Sequence, residues 1–340
     1  MDNPNMNPAQ EGVITAPDLL TVSPSPHIKH KDTTRSVMRD VLIALTPALI
    51  WACYVFGTRA VTVVALCIAS AVFFEWLTQK LLHRPITIGD CSAAVTGMLL
   101  GFNLPSSVPW WMCVVGSAFA IVIVKQLFGG IGKNFMNPAL AARVFLFSWP
   151  SQLATFPTAF ERLHLWQLTV SDVDAIASAT PLSMIRGGQI SELSLSDLFF
   201  GNIGGCIGEV STLLLIIGGI YLLCRRVITW HIPVAYLGTV ALLSLFLAPV
   251  GTGAVEYMLL QLCSGGLMLG AIFMATDYVT SPVTPRGRLI FGVGCGLITV
   301  LIRTFGSYAE GVSFSILIMN SLVWYIDSFT RPCVFGGGKR

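Results

Sequence analysis

Eighteen uncharged residues in a row, VLIALTPALIWACYVFGT, separate Asp40 from Arg59, and apolar runs of this kind recur down the chain. A bilayer hydrocarbon core of about 30 Å takes roughly 20 apolar residues per helix. A backbone in lipid must satisfy its polar groups internally, so only helices and closed barrels can span it. The runs here are continuous rather than alternating, which is the pattern of helices. Only 11% of the 340 residues are charged, against roughly 25% in soluble domains. The chain reads as an all-α integral membrane protein.

Cutting the apolar runs at charges and at Pro or Gly leaves ten segments, near 38–56, 59–79, 91–104, 109–127, 136–149, 204–223, 231–249, 256–275, 288–305 and 312–329. Short cytoplasmic loops collect Lys and Arg. With the N-terminus inside, sixteen of the twenty Lys and Arg fall on the cytoplasmic side, Lys125 and Arg143 among them. Arg59, Arg162, Arg186 and Arg303 fall outside. Both termini are then cytoplasmic, the 150–203 connection is extracytoplasmic, and Pro109, Trp110 and Trp111 suit the outer aromatic belt. Residues 1–34 read as a disordered cytoplasmic tail and 331–340 as a short second one. The polar N-terminus lacks the basic-then-apolar layout of a cleavable signal peptide.

The nine cysteines are scattered, with no C-x-x-C pair and no His at ligand spacing. Within apolar runs they read as small packing residues, and no metal site is expected. Two stretches echo each other: CSAAVTGMLLGFNLP from Cys91 and CSGGLMLGAIFMATD from Cys263. Each precedes a long apolar helix, and the echoed segments stand five places apart in the order of ten, an odd number, so the second copy is inverted. That describes a 5+5 inverted repeat, an arrangement that sets a site near the midplane. The halves are 35–149 and 204–330.

Cys91–Leu104 and Asn137–Trp149 are too short to span and read as half-helices. Two readings stay open for them: a seat for an anion or polar ring at a free helix end, or close helix packing through small residues. Asp90 and Asp277 sit at what read as equivalent ends of the repeated helices. Glu75, Lys125 and Arg143 lie in or near apolar runs, where ionisable groups are functional candidates. For Lys125 and Arg143, snorkelling to the cytoplasmic surface is the expected reading.

The polar stretch SDVDAIASATPLSMIRGG (171–188) stands out among the apolar runs. Thr180 then Pro181 is a helix-start signal, an N-cap followed by Pro at the first helical position. Gly187 and Gly188 stop the helix after about two turns. Thr180 is either only a cap, or a hydroxyl at a helix start where an attached phosphate meets free N–H groups. Local sequence leaves both open.

The order Asp174, Ala179, Thr180 in DAIASAT resembles the flavin-attachment motif of the D subunit of the Rnf electron-transport complex and of the related B subunit of the sodium-pumping NADH:quinone reductase. The resemblance continues through SPH (25–27), SAAVTG (92–97), KQLFGGIGKNFMNPA (125–139), TWHIP (229–233), TDYVT (276–280), RGRLIFG (286–292) and DSFTRPCVFG (327–336). It departs at Ala177 and Ser178, before the Ala-Thr pair, and at Tyr278, where Pro is usual.

The resemblance implies an FMN phosphoester on Thr180, flanked by Asp174, Ala179 and Pro181 and installed by a dedicated flavin transferase. It also implies an electron-carrying subunit, not catalytic alone, in a ferredoxin- and NAD-linked complex that moves sodium or protons across a bacterial inner membrane. Ferredoxin and NAD would bind other subunits, since no G-x-G-x-x-G follows a strand here. A second, non-covalent flavin such as riboflavin is a further expectation, near Thr96, Gly97 and Asn137. Membrane lipid is an expected partner and nucleic acid is not. The alternative is a small-solute or ion channel, because half-helices in an inverted repeat also build urea and ammonium channels, and fold alone does not decide function.

Overall fold

The structure is a computed structural model that describes residues 32–153, 156, 180–190, 193–209, 211–249, 252–306 and 310–331. Residues from Thr34 onward form one compact unit. The helices are α1 Thr34–Phe56, α2 Thr58–Leu81, α3 Ser92–Phe102, α4 Trp110–Gln126, α5 Pro138–Leu146, α6 Pro150–Leu153, α7 Pro181–Arg186 and α8 Leu195–Phe200. They continue as α9 Thr212–Cys224, α10 His231–Phe246, α11 Ala254–Cys263, α12 Leu267–Met274, α13 Pro285–Phe305 and α14 Val312–Thr330. Among the described residues no strand forms; only an isolated bridge joins Pro105 to Cys206.

By length and composition α1, α2, α13 and α14 can each cross a membrane, and α11 with α12 makes a fifth candidate. The helices α3, α4, α9 and α10 are apolar but shorter. Each of the ten expected segments contains a helix, with one correction: 256–275 is two helices bent by 66°. The bend falls at Ser264–Gly265–Gly266, where Gly265 takes a φ of +65°, a backbone that a Cβ disfavours.

Helix starts follow the cap chemistry of the sequence. Asn137 Oδ1 accepts from the N–H groups of Ala139 (3.0 Å) and Leu140 (3.3 Å), with Pro138 at the first helical position. Thr284 caps Gly287 N–H at 3.0 Å ahead of Pro285. Thr180 caps Ser183 N–H at 3.3 Å ahead of Pro181. Each oxygen satisfies a donor that the helix cannot. The helix after Thr180 is six residues long and stops at Gly187 and Gly188, the latter at φ +79°.

The helix α3 lies at the centre, with ten of its eleven residues buried. At 1.5 Å per residue it is about 16 Å long, roughly half of a hydrocarbon core. Gly97 presses it against α2: a Cβ there would stand 2.7 Å from both Cys67 O and Ile68 Cα. Gly97→Ala would gain about 1 kcal/mol of helix propensity, but backbone atoms cannot rotate away from the new methyl. Overpacking of this kind costs about 1–3 kcal/mol. The net result expected is a lower thermal midpoint in detergent, read by loss of the monodisperse peak on size exclusion.

Candidate functional site

The core helices α3 and α5 carry a cleft at each end. At one end, Ser92, Thr96, Asn137 and Ala139 face a cleft of about 820 Å³ that also includes Lys125, Thr276 and Asp277. At the other, Asn103, Arg143 and Phe147 face a cleft of about 740 Å³ together with Pro105, Cys206, Glu310 and Thr180.

The Thr180 cleft is built around Arg143, which is 5% exposed. One guanidinium nitrogen donates to Asn103 Oδ1; another pairs with Glu310 and lies 3.6 Å from Cys206 Sγ. That nitrogen is 3.7 Å from Glu209 Oε1. The guanidinium carbon sits 5.9 Å over the Phe147 ring, which stacks on Phe314. Glu209 precedes α9 and Glu310 precedes α14, both in connections between helices. Burial, and then the Glu310 carboxylate, push the Glu209 carboxyl well above the usual range, against the pull of Arg143. One ligand atom each of Cys206, Glu209 and Glu310 lies within 4.8 Å of the others. The cation among them is the guanidinium itself.

The other cleft holds a second buried ion pair. Lys125 Nζ lies 2.7 Å from Glu75 Oε1 and donates to Ser92 Oγ at 2.6 Å. Gln126 Nε2 donates to the same Glu75 oxygen at 2.8 Å. Lys125 and Gln126, which both reach this carboxylate, end a π-helical stretch of α4 over Phe119–Gln126, a widened turn that recurs at functional sites. Ser92 also bonds Asp90 Oδ1, which accepts from its N–H (2.8 Å) and its hydroxyl (2.6 Å). Burial raises the Asp277 carboxyl, opposed by hydrogen bonds from Val279 N–H and the Thr280 hydroxyl and by the charge of Lys125.

The residues singled out by sequence divide as follows. Thr180 and Pro181 stand together at the start of α7, and the Thr180 side faces its cleft. At this helix start the Ser183 N–H is already taken by the cap, and Arg143 is a cation that faces the cleft. Asp174 and Ala179 lie outside the described residues, as do Ala177, Ser178 and both expected tails up to residue 31 and from residue 332. Thr96 and Asn137 line the opposite cleft, though each also makes internal bonds, to Ser92 O (3.0 Å) and Met274 O (3.2 Å). Gly97 does not line it; its face is filled by α2. Tyr278, which replaces the usual Pro, lines it and donates to Val227 O.

Three expectations are corrected. Lys125 and Arg143 do not snorkel: they are 3% and 5% exposed and ion-paired to carboxylates in the interior. Arg143 belongs to the Thr180 end of the core, away from Lys125. Asp90 and Asp277 are not at equivalent helix ends, for Asp90 precedes α3 and Asp277 follows α12. They share the Lys125 end because α3 and α12 run in opposite directions, from Ser92 and toward Thr276 respectively.

Sequence reading misses both Glu310, in a Gly-containing connection, and Glu209, in the Gly-rich start of the 204–223 segment. Glu75 and Arg143 carry a signal, a charge within an apolar run, but no indication of partner.

These features define a class: a helical membrane protein that buries ion pairs beside clefts at both ends of a short-helix core. The sequence profile of the NQR2, RnfD, RnfE family matches residues 21–336, and the chain belongs to that family. It is 51% identical over 324 residues to the D subunit of the Na(+)-translocating ferredoxin:NAD(+) oxidoreductase complex of Acetobacterium woodii, covering 94% of this chain and 96% of the relative. It is 39% identical over 329 residues to the D subunit of the proton-translocating ferredoxin:NAD(+) oxidoreductase complex of Clostridium ljungdahlii, covering 94% and 97%. Against the D subunit of the ion-translocating oxidoreductase complex of Yersinia enterocolitica it is 37% identical over 355 residues, covering 93% and 98%.

Proposed function

We propose that this chain is the membrane subunit of an Rnf-type ferredoxin:NAD oxidoreductase complex that moves sodium or protons, and that it carries electrons through FMN esterified to Thr180. The observation that carries the reading is Thr180 itself, a cap hydroxyl on the wall of a cleft with a buried guanidinium and an aromatic ring. The donor set fits FMN. Phe147, Phe156, Pro105 and Pro150 offer flat apolar surface, and Arg143 offers positive charge to an electron-rich ring edge. FMN supplies one- and two-electron chemistry when bound, while the protein fixes and tunes it. Thr180 holds the attachment oxygen, Pro181 sets its extended backbone, and Arg143 sets the local potential.

The proposal extends to a 5+5 inverted repeat of ten spans, in an inner membrane with both termini cytoplasmic and Thr180 outside. It is supported by paired geometry. Lys125 near the end of α4 reaches Ser92 before the body of α3, and Arg303 near the end of α13 reaches Ser264 O before α12, at 2.9 Å. A second, non-covalent flavin such as riboflavin is proposed for the cleft lined by Thr96, Asn137 and Lys125, on its mixed polar and apolar lining.

The test expresses the chain with a flavin transferase, denatures it on a gel and views it under ultraviolet light. Wild type and Ser178→Ala are expected to fluoresce, and Thr180→Ala to lose the whole band. A dark wild-type band would sink the ester. Solvent extraction of Thr180→Ala should still release one free flavin per chain; none would remove the second site.

A further inference from the structure

We propose that Glu209 and Glu310 form a proton-binding pair that takes up one proton from water on the Thr180 side for each electron placed on the group held at Thr180. This rests on the FMN reading above. The two carboxylates come from separate connections, before α9 and before α14, and converge on Arg143. Glu310 pairs with it directly. Glu209 Oε1 lies 3.7 Å from the guanidinium, and no N–H or O–H among the described residues donates to it. Glu209 is 8% exposed. Both carboxylates, with Thr180, Pro181 and Gly265, line a small opening of about 290 Å³.

The charges facing the pair are few. Arg143 comes from α5 and the Cys206 thiol from the connection that holds Glu209. From α13, Arg303 donates through its two terminal nitrogens to Gln261 O, Gln261 Oε1 and Ser264 O, at 2.7, 3.0 and 2.9 Å, while its Nε has no partner among the described residues and its charge acts on both carboxylates. From the bend before α12, Gly266 stands where a Cβ would lie 3.1 Å from Glu209 Oε1, so no side chain intervenes. Two carboxylates therefore share one directly bonded guanidinium. Like charges this close do not both stay ionised at low cost, and such a pair titrates as a unit. The Glu310 side chain, at 17% exposure, is the more open of the two and lines the same cleft as Thr180.

The balance is simple. One electron leaves a low-potential donor, dithionite in the assay, and enters the group on Thr180. One proton leaves water and forms an O–H bond on a carboxylate oxygen of the pair; reoxidation returns both. Added negative charge in the cleft thus never stands uncompensated, and burial of the pair makes that compensation strong.

The experiment uses the full chain carrying its covalent flavin, in detergent. Redox-difference infrared spectra should show a protonated-carboxyl C=O band rising on reduction, shifted in deuterium oxide and lost in Glu209→Gln or Glu310→Gln. Spectroscopic titration should give a potential that falls as pH rises by up to one proton per electron, a tenfold change in proton activity being worth about 59 mV. The slope should flatten in either variant. A loaded wild-type protein with no such carboxyl band overturns the pair whatever the variants do, and so does a band and slope that survive both substitutions. A wild-type chain with no gel fluorescence overturns the Thr180 reading and this inference with it, which separates the two failures.

Discussion

Lys125→Met is expected to destabilise the protein by about 3–5 kcal/mol, because it leaves Glu75 buried without its counter-charge. Glu75 is 1% exposed and one of its oxygens, Oε2, already has no hydrogen bond. At that depth the stranded carboxylate has no solvent to compensate it. Adding Glu75→Gln should recover most of the loss, since replacing both ions removes the desolvation cost together with the attraction. Unfolding curves of the two single variants and the double variant in detergent close the cycle. Losses that simply add would show that the pair is not coupled, contrary to the 2.7 Å contact.

Arg143→Met should cost a similar amount, about 3–5 kcal/mol, with a dependence on pH. Removing the guanidinium leaves Glu209 and Glu310 facing each other without the opposing charge. The Glu209 carboxyl is already raised by burial and by Glu310, and it loses the positive charge that pulls it down. A carboxyl raised in the folded state destabilises above its ordinary value of about 4.3, and the deficit grows as pH climbs toward the folded-state value. Wild type already carries that deficit up to about pH 8, so the gap between variant and wild type should open above about pH 8, where wild-type Glu209 ionises while the variant's stays protonated, followed by thermal midpoints from about pH 6 to about pH 10. Arg143→Lys should rescue only in part. An ammonium cannot present the planar fork that reaches Asn103, Cys206 and Glu310 together. A flat pH response in Arg143→Met would mean that the carboxylates find water once the arginine is gone.

Much of the helical layout is legible in advance because its causes are local. Continuous apolar runs mark the helices, and Asn137-Pro138 and Thr180-Pro181 mark starts that the caps then bear out. The bend between α11 and α12 is not, since Ser264, Gly265 and Gly266 interrupt an apolar run without bringing in a charge. Gly97 leaves open either a ligand's approach or close helix packing, and the close neighbour is α2. Small residues admit either one, and linear order does not say which arrives.

The site is legible only in pieces. Thr180 stands out through its motif, and Thr96 and Asn137 do line a cleft, but at the end of the core away from Thr180. Read alone, the chain establishes that apolar helices form, where several of them begin, and that one threonine merits a test. Hydrophobic length and capping act over a few residues, so linear order is enough to read them. It takes the folded packing to bring Lys125 to Glu75 and to gather Glu209 and Glu310 around Arg143 beneath Thr180. A charge in a dry interior persists only beside its partner, and those partners stand between 50 and 167 residues away along the chain.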